Sequence, residues 1–266
     1  MEMVSTVIRS LESSRRVSGE TPIEIAGGRY VVRLAETIEE IDAALKLRFE
    51  VFNLELGEGL DSSFQTGRDR DEFDASCDQL IVIDQTNGNV VGTYRLRTIE
   101  MAKHAEGFYS AGEFDLTCLP PEVLNQALEL GRACIAQSHR KRQVLFLLWK
   151  GLARYVQTRR KRFLFGCCSL TSQEPADGNQ LWDQLIEGGH MHPTCFVPPK
   201  SGYECAPVPK RSSEVEIPKL FRMYLSIGAK ACSPPAIDRR FKTIDFLVLF
   251  DIKTMDFVTG RIYFVR

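Results

Sequence analysis

The stretch Ala127-Leu128-Glu129-Leu130-Gly131-Arg132-Ala133-Cys134-Ile135 decides how the chain folds, because it is apolar except for one acid and one base. A bounded apolar run of this kind reads as a buried strand. Side chains alternate along a strand, so positions 129 and 131 point to one face and 130 and 132 to the other. Glu129 and Arg132 therefore do not pair directly unless a bulge intervenes. Each needs its own partner, because a buried unpaired charge is costly. Arg95 or Arg97, on a preceding strand, could serve Glu129. A salt-bridge network that merely braces the sheet would use the same residues.

Upstream of this strand, Leu80–Asp84 and Asn89–Arg97 flank Asn87-Gly88, a strong hairpin signal. Before the hairpin, Tyr30–Leu34 reads as a first strand. Thr37-Ile38-Glu39-Glu40 is then a capping box. The helix it opens places Ile41, Leu45, Arg48 and Phe52 on one stripe. Arg48 in that stripe is a second charge expected to be buried, and Asp71-Glu72-Phe73-Asp74 offers partners. Residues 53–78, with Gly57, Gly59 and Gly67, read as a long mobile loop. Downstream, a basic turn at His139–Arg142 leads into an amphipathic helix over 143–157, and Phe163–Leu170 is the next strand. Asn179–Glu187 and Pro218–Gly228 read as helices, and Phe246–Phe250 as a late strand. This succession predicts an α/β fold, a mixed β-sheet with helices on both faces. The expected organisation is a flexible segment over 1–25 and a single domain over 26–266, with a C-terminal extension from about 200.

The chain has 266 residues, 34 Lys plus Arg against 35 Asp plus Glu, and 44% hydrophobic residues. That is enough to bury a sizeable core, and it excludes disordered, collagen-like and low-complexity classes. The neutral total argues against a nucleic-acid binder. Within that total the charge is segregated. Residues 36–78 hold thirteen acids and four bases, whereas residues 132–162 hold ten Lys and Arg and no acid. The basic stretch would attract a phosphate, an acidic carrier protein or anionic lipid, and the acidic stretch a cationic small molecule. Plain solvated faces would carry the same charges.

Residues 1–20 lack a continuous apolar core of the secretory kind. The runs Val144–Trp149 and Phe246–Phe250 are too short to span a bilayer. Cytoplasmic residence is therefore expected, with peripheral contact at the inner membrane surface through the basic helix. Met3, Val4, Val7, Ile8 and Leu11 share one helical face and read as a frayed terminus or a weak lipid anchor. The eight cysteines form no CxxC pair and read as buried free thiols in a reducing compartment. His190, His192, Cys195 and Cys205 are zinc-ligand types, but their spacing matches no common zinc module, and no metal is assigned to them.

Five motifs in order resemble one family. They are Arg48-x-x-Val51-Phe52, Asp71-x-Phe73-Asp74, the strand carrying Arg95, Glu129-x-x-Arg132, and the tail Pro235-Ala236-x-Asp238-x-x-Phe241-x-x-x-Asp245-Phe246. The first four are similar to the signature of acyl-homoserine-lactone (autoinducer) synthases. The fuller resemblance, over about 30–250, is to ornithine-lipid N-acyltransferases and hemolysin-like N-acyl amino acid synthases of the GNAT superfamily. It implies a GNAT-like sheet with splayed central strands. An acyl thioester enters the cleft between them and is attacked directly by an amine. The donor implied is the acyl-4′-phosphopantetheine of acyl carrier protein rather than acyl-coenzyme A, because Gln137-Ser138-His139-Arg140-Lys141-Arg142 lacks the glycines of the usual pyrophosphate loop.

The resemblance also distributes roles. Glu129 would accept the amine's proton, and Arg48 would organise Asp71 and Asp74 over the acceptor. Arg95 or Arg132 would hold the acceptor's carboxylate, and Phe52 would line the site. Amides near Arg132–Ile135 would stabilise the oxyanion. His139, Arg140, Lys141 and Arg142 would receive the phosphopantetheine phosphate. The expected activity is transfer of a long fatty acyl chain to the α-amine of an amino acid, ornithine first because the acidic lobe suits a second positive charge. The alternatives are an autoinducer-like synthase and a non-catalytic carrier-protein-binding module. No transmembrane hairpin or disulfide framework supports a membrane-active toxin.

Overall fold

Nine strands form one sheet in the computed structural model, which describes residues 23–209 and 214–264. They are β1 (Glu24–Gly27), β2 (Tyr30–Leu34), β3 (Asp78–Asp84), β4 (Asn89–Thr98), β5 (Ala127–Ile135), β6 (Phe163–Leu170), β7 (Lys230–Ala231), β8 (Ala236–Asp238) and β9 (Thr243–Asp251). Their order is β1-β2-β3-β4-β5-β6-β9-β7, with β8 also pairing with β9. Every pairing is antiparallel except β5 with β6.

Alternation along the strands sorts the core into two layers. Leu80 and Val82 of β3 and Tyr94 and Leu96 of β4 face α2 (Arg142–Thr158), which buries Val144, Leu147, Leu148, Trp149 and Leu152 against them. Each such side chain contributes roughly 1.5–3 kcal/mol when fully buried. Helices α3 (Pro175–Glu187) and α4 (Lys219–Ser226) join this layer through Leu181, Leu185, Phe221 and Leu225, and α5 (Phe257–Phe264) lays Tyr263 on Trp149. Ile81 faces the opposite side, where α1 (Ile38–Phe49) packs Ala44 and Ile41. Helices thus cover both faces. Thr37 caps α1 by accepting the Glu40 amide at 3.3 Å, while the Glu40 carboxylate accepts the Glu36 amide at 2.7 Å.

Two irregularities create the central opening. The parallel ladder between β5 and β6 joins 127 to 163, 128 to 164 and 129 to 165, and the strands diverge beyond it. At that fork Gly166 passes so close to β5 that a Cβ there would lie 2.2 Å from the Leu130 carbonyl oxygen. The second irregularity is a bulge. Pairs Arg95–Gly131 and Thr93–Cys134 leave two residues of β5 opposite Tyr94 alone, and Arg132 takes a left-handed φ of 50°. A bulge of this kind re-aims a side chain. Strict alternation would send Arg132 to the α2 side; instead it joins Arg95 on the opposite face.

The segment expected to be a mobile loop, 53–78, is built of ordered pieces. Helix α1 runs into a π-helical turn over Glu50–Glu55, followed by a short helix at Ser63–Thr66 and a 3-10 turn at Glu72–Ser76. π-Turns inside helices often mark functional sites. At the N-terminal end, β1 includes Glu24 and Ile25 of the stretch expected to be flexible. The apolar residues of 3–11 lie outside the described residues. The C-terminal strands β7–β9 complete the sheet, and β9 and helix α4 help to line its opening.

Candidate active site

A cavity of about 640 Å³ lies where β5 and β6 separate. Tyr94, Leu148, Trp149, Phe221, Tyr224 and Phe250 line an apolar half on the α2 side of the sheet. Arg95, Tyr109, Glu129, Arg132, Glu58 and Asp245 line the other half. The gap between the strands joins the two.

Glu129 faces the polar half and is nearly buried. Its partners are neither Arg95 nor Arg97. The backbone amides of Tyr109 and Ser110 donate to its carboxylate at 2.8 Å each, and the Ser110 hydroxyl adds a third bond at 2.5 Å. Oε2 takes one of these three, which leaves it acceptor capacity for a further donor. Arg97 instead donates to the Ser76 hydroxyl at 2.7 Å and to the Gly107 carbonyl. The Tyr109–Ser110 turn was not foreseen, because nothing in its local sequence marks it as a carboxylate holder.

The arginines form a closed lattice with three aspartates. Arg48, fully buried, donates to Asp69 at 2.7 Å and to Asp74 at 2.6 and 3.1 Å. Arg95 reaches Asp71 at 2.6 Å and Asp74 at 3.3 Å. Arg132 reaches Asp69 at 3.2 Å and Asp71 at 3.1 Å. Asp71 and Asp74 also cap the turn at Glu72–Ser76 reciprocally. Burial alone would raise the Asp74 carboxyl, but Arg48 and Arg95 outweigh it and hold the group well below its usual range. Burial likewise opposes, and Arg48 and Arg132 reverse, the shift at Asp69. Asp69 is a member the sequence reading missed, although it lies two residues before Asp71.

This lattice alters the expectation for the acceptor's carboxylate. Arg132 commits Nε and Nη2 to aspartates, while Arg95 donates to described residues through Nη1. Neither presents a wholly uncommitted guanidinium. Arg132 lies over the Phe241 ring at 4.1 Å and the Tyr109 ring at 4.8 Å, and Phe52 meets Phe241 edge-on at 5.3 Å. These aromatic faces hold the cation in place.

The rest of the acidic stretch is also largely matched: Asp42 by Arg68, Glu40 by Arg33, Glu55 by Arg140 and Asp61 by Lys242. Its predicted attraction for a cationic substrate is thereby mostly cancelled. Glu58 is different. It is buried in the cavity wall and accepts the Thr171 hydroxyl, and burial pushes its carboxyl up to about 7. Nearby, Asp245, Glu113 and Cys167 bring their functional atoms within 4.8 Å of one another. Burial, with the Asp238 charge second among the raising influences, pushes Asp245 to about 6. Glu113 is driven well above the carboxylate range by burial and by Asp245. The Cys167 thiol is driven far up by burial and by the Glu113 charge. Asp245 stands in the apolar run Ile244-Asp245-Phe246-Leu247; the same anomaly that drew attention to Glu129 marks it in the sequence.

The basic turn divides. Arg140, Lys141 and Arg142 line the cavity entrance, but Arg140 is bound on both sides of its fork by Glu55. His139 is not at the cavity: its ring contacts Ser138, Arg29 and Asp84. Lys141 and Arg142 are exposed and pair with no carboxylate among the described residues. They stand at the N-terminus of α2, a natural anion site. Among the other candidate ligands, His192 Nδ1 accepts the Thr194 and Cys195 amides at 3.3 and 2.9 Å, which makes it a turn cap. Among the described residues, the group with ligand-like spacing is Glu113, Cys167 and Asp245.

Residues 47–150 match the family described as acetyltransferase (GNAT) domain. The fold is similar to that of FeeM, an N-acyl amino acid synthase from uncultured soil microbes, with a TM-score of 0.53 at 12% identity over 88% of this chain and 95% of that one. A splayed mixed sheet with a cavity through its fork and a GNAT domain define an acyltransferase. The chain is 32% identical to an L-ornithine N(alpha)-acyltransferase of Brucella abortus, over 85% of each chain. It is 30% identical to one of Agrobacterium fabrum, over 88% of this chain and 84% of that one. It belongs to the L-ornithine Nα-acyltransferase family.

Proposed function

We propose that the protein transfers a long-chain fatty acyl group from the phosphopantetheine thioester of acyl carrier protein to the α-amine of ornithine, giving an N-acyl amino acid, a lyso-amino-lipid. The observation that carries this reading is a single cavity with an apolar half for a fatty chain and a carboxylate-rich half for an amine.

The chemistry follows from those halves. The α-amine is mostly ammonium at neutral pH and must lose a proton before it attacks. Glu129, held rigidly by Tyr109 and Ser110, takes that proton directly or through water. The nitrogen then bonds to the thioester carbon, the C–S bond breaks, and the departing thiolate receives the second amine proton. The bulge at Arg132–Ala133 takes backbone out of regular pairing beside the cavity, and its amides are suited to the developing oxyanion. Remaining donors of Arg95 and Arg132 would receive the acceptor's carboxylate. Arg48 acts at a distance, holding Asp69 and Asp74 and through them Arg95 and Arg132. No covalent acyl-enzyme is required, and the raised thiol of Cys134, pushed up to about 12 by burial, is a poor nucleophile.

For the donor, Lys141 and Arg142 at the start of α2 suit one phosphodiester and an acidic carrier surface. No described helix is long and apolar enough to cross a membrane. Contact with the inner membrane surface would use the same exposed cations. The test incubates the purified protein with palmitoyl-carrier protein or palmitoyl-coenzyme A and a panel of amino acids, followed by mass spectrometry. Nα-palmitoyl-ornithine formed faster from the carrier protein is the expected result. Acyl-ornithine from neither thioester would sink the reading, and preference for coenzyme A would sink the choice of donor.

A further inference from the structure

The geometry points to the Asp245–Glu113 carboxyl pair, with Glu58 close by, as the receptor for the distal ammonium of a diamino-acid acceptor. This rests on the acyl-transfer reading above and names the residues that would select its substrate.

Position is the first ground. Asp245 lines the polar half of the cavity. Strand β6 pairs Phe165 with Glu129 and Ser169 with Asp245, and Cys167 lies between them on the same face. The proton acceptor and the carboxyl pair are therefore strung along one strand. An extended diamino acid carries its α-amine and its side-chain amine in the same linear relation.

The second ground is unmet hydrogen-bonding capacity. Asp69, Asp71 and Asp74 have arginines. Asp238 accepts the amides of Arg240 and Phe241 at 2.7 and 2.9 Å and the Tyr109 hydroxyl at 3.0 Å, and Glu129 has its two amides. Asp245 is 2% exposed and Glu113 3%, yet Asp245 Oδ1 and Glu113 Oε2 accept no hydrogen bond among the described residues. Buried oxygens without donors are costly. A primary ammonium brings three N–H donors and one positive charge to this pair. It would bring donors to the two oxygens, Asp245 Oδ1 and Glu113 Oε2, that accept none among the described residues.

A soft divalent cation such as zinc is the competing occupant, because the Cys167 sulfur lies within 4.8 Å of both carboxyl groups.

Ornithine and norvaline share one carbon chain and differ by the terminal amine, so they isolate this contact. With the full-length protein and palmitoyl-carrier protein, Asp245→Asn and Glu113→Gln are each expected to lower the ornithine-to-norvaline ratio of kcat/KM by about ten- to hundredfold. The loss should fall mainly in KM for ornithine. A ratio unchanged in both variants overturns the proposal, and if Asp245→Asn does not fold, Glu113→Gln decides. A wild-type protein that acylates norvaline as well as ornithine overturns the subsite while leaving acyl transfer intact. One that acylates neither refutes acyl transfer itself. Stoichiometric zinc in the purified protein that Asp245→Asn abolishes would also overturn the proposal.

Discussion

Two clusters of buried charge reach the same cavity, one through Arg95 and Arg132 and the other through Glu58 and Asp245, and are built on opposite terms. In the Arg48–Arg95–Arg132 lattice, three guanidiniums meet three aspartates and the sum is neutral. In the Glu58–Glu113–Asp245 cluster, carboxyls gather with no cation of their own among the described residues, and their pKa values rise. The contrast teaches how to tell scaffold from receptor. A neutral buried lattice fixes geometry; an unbalanced one waits for a charge to arrive from outside.

Breaking the neutral cluster should have the largest effect. Arg48→Ala leaves Asp69 and Asp74 buried without their main partner, and a loss of about 3–5 kcal/mol in denaturant unfolding is expected. A loss below 1 kcal/mol would show that the lattice is not structural. Asp69 and Asp74 have depressed pKa values, so their contribution is fully present above the unfolded value near 3.8 and is lost on acidification through the folded one.

The unbalanced cluster should behave with the opposite sign. Glu58 titrates at about 7 in the folded protein against 4.5 for the ordinary group. Between those values the native state holds a proton that the unfolded chain has released, so stability falls as pH rises, by roughly 3 kcal/mol in all. Glu58→Gln should flatten the stability profile between pH 5 and 8 by that order. An unaltered slope would mean that this carboxyl is ionised throughout.

The connection between the two halves can be closed without touching either cluster. Gly166→Ala drives a methyl group into the Leu130 carbonyl and should cost about 1–3 kcal/mol. Turnover with palmitoyl donors should fall more than with short acyl donors, as single-turnover assays across chain length would reveal. Equal losses at every length would argue that the fork does not gate the chain. Smallest is the effect at the entrance. Lys141→Glu and Arg142→Glu should each raise KM for carrier protein about two- to fivefold, more at low salt, with KM for ornithine constant.

Much of the sheet was legible because its signals are local. The runs Tyr30–Leu34, Ala127–Ile135 and Phe163–Leu170 are strands with the bounds the apolar pattern indicates. The short strands β1, β7 and β8 carry too few residues for periodicity to register, and their pairing depends on neighbours distant in sequence. The ordering of 53–78 was hidden for a related reason. Nothing local shows that Arg48 gathers Asp69 and Asp74 across more than twenty positions. Within the site, Arg48, Glu129 and Asp74 could be singled out as charges in apolar or acidic company. Glu113 could not, since its segment has no regular period, and its meaning comes from Asp245 and Cys167 folding against it. The bulge at Arg132 was foreseen as a condition but not as a fact, because one residue's left-handed turn leaves no mark in hydropathy.

That single backbone inversion makes the site sensitive to chain length in a way that substitutions do not reveal. Excising Ala133 would let the ladder close evenly from Gly131 to Cys134 and keep every other pair. The guanidinium of Arg132 would then swing through the sheet into the oily compartment beside Trp149, taking from Asp69 and Asp71 one of the two arginines each holds.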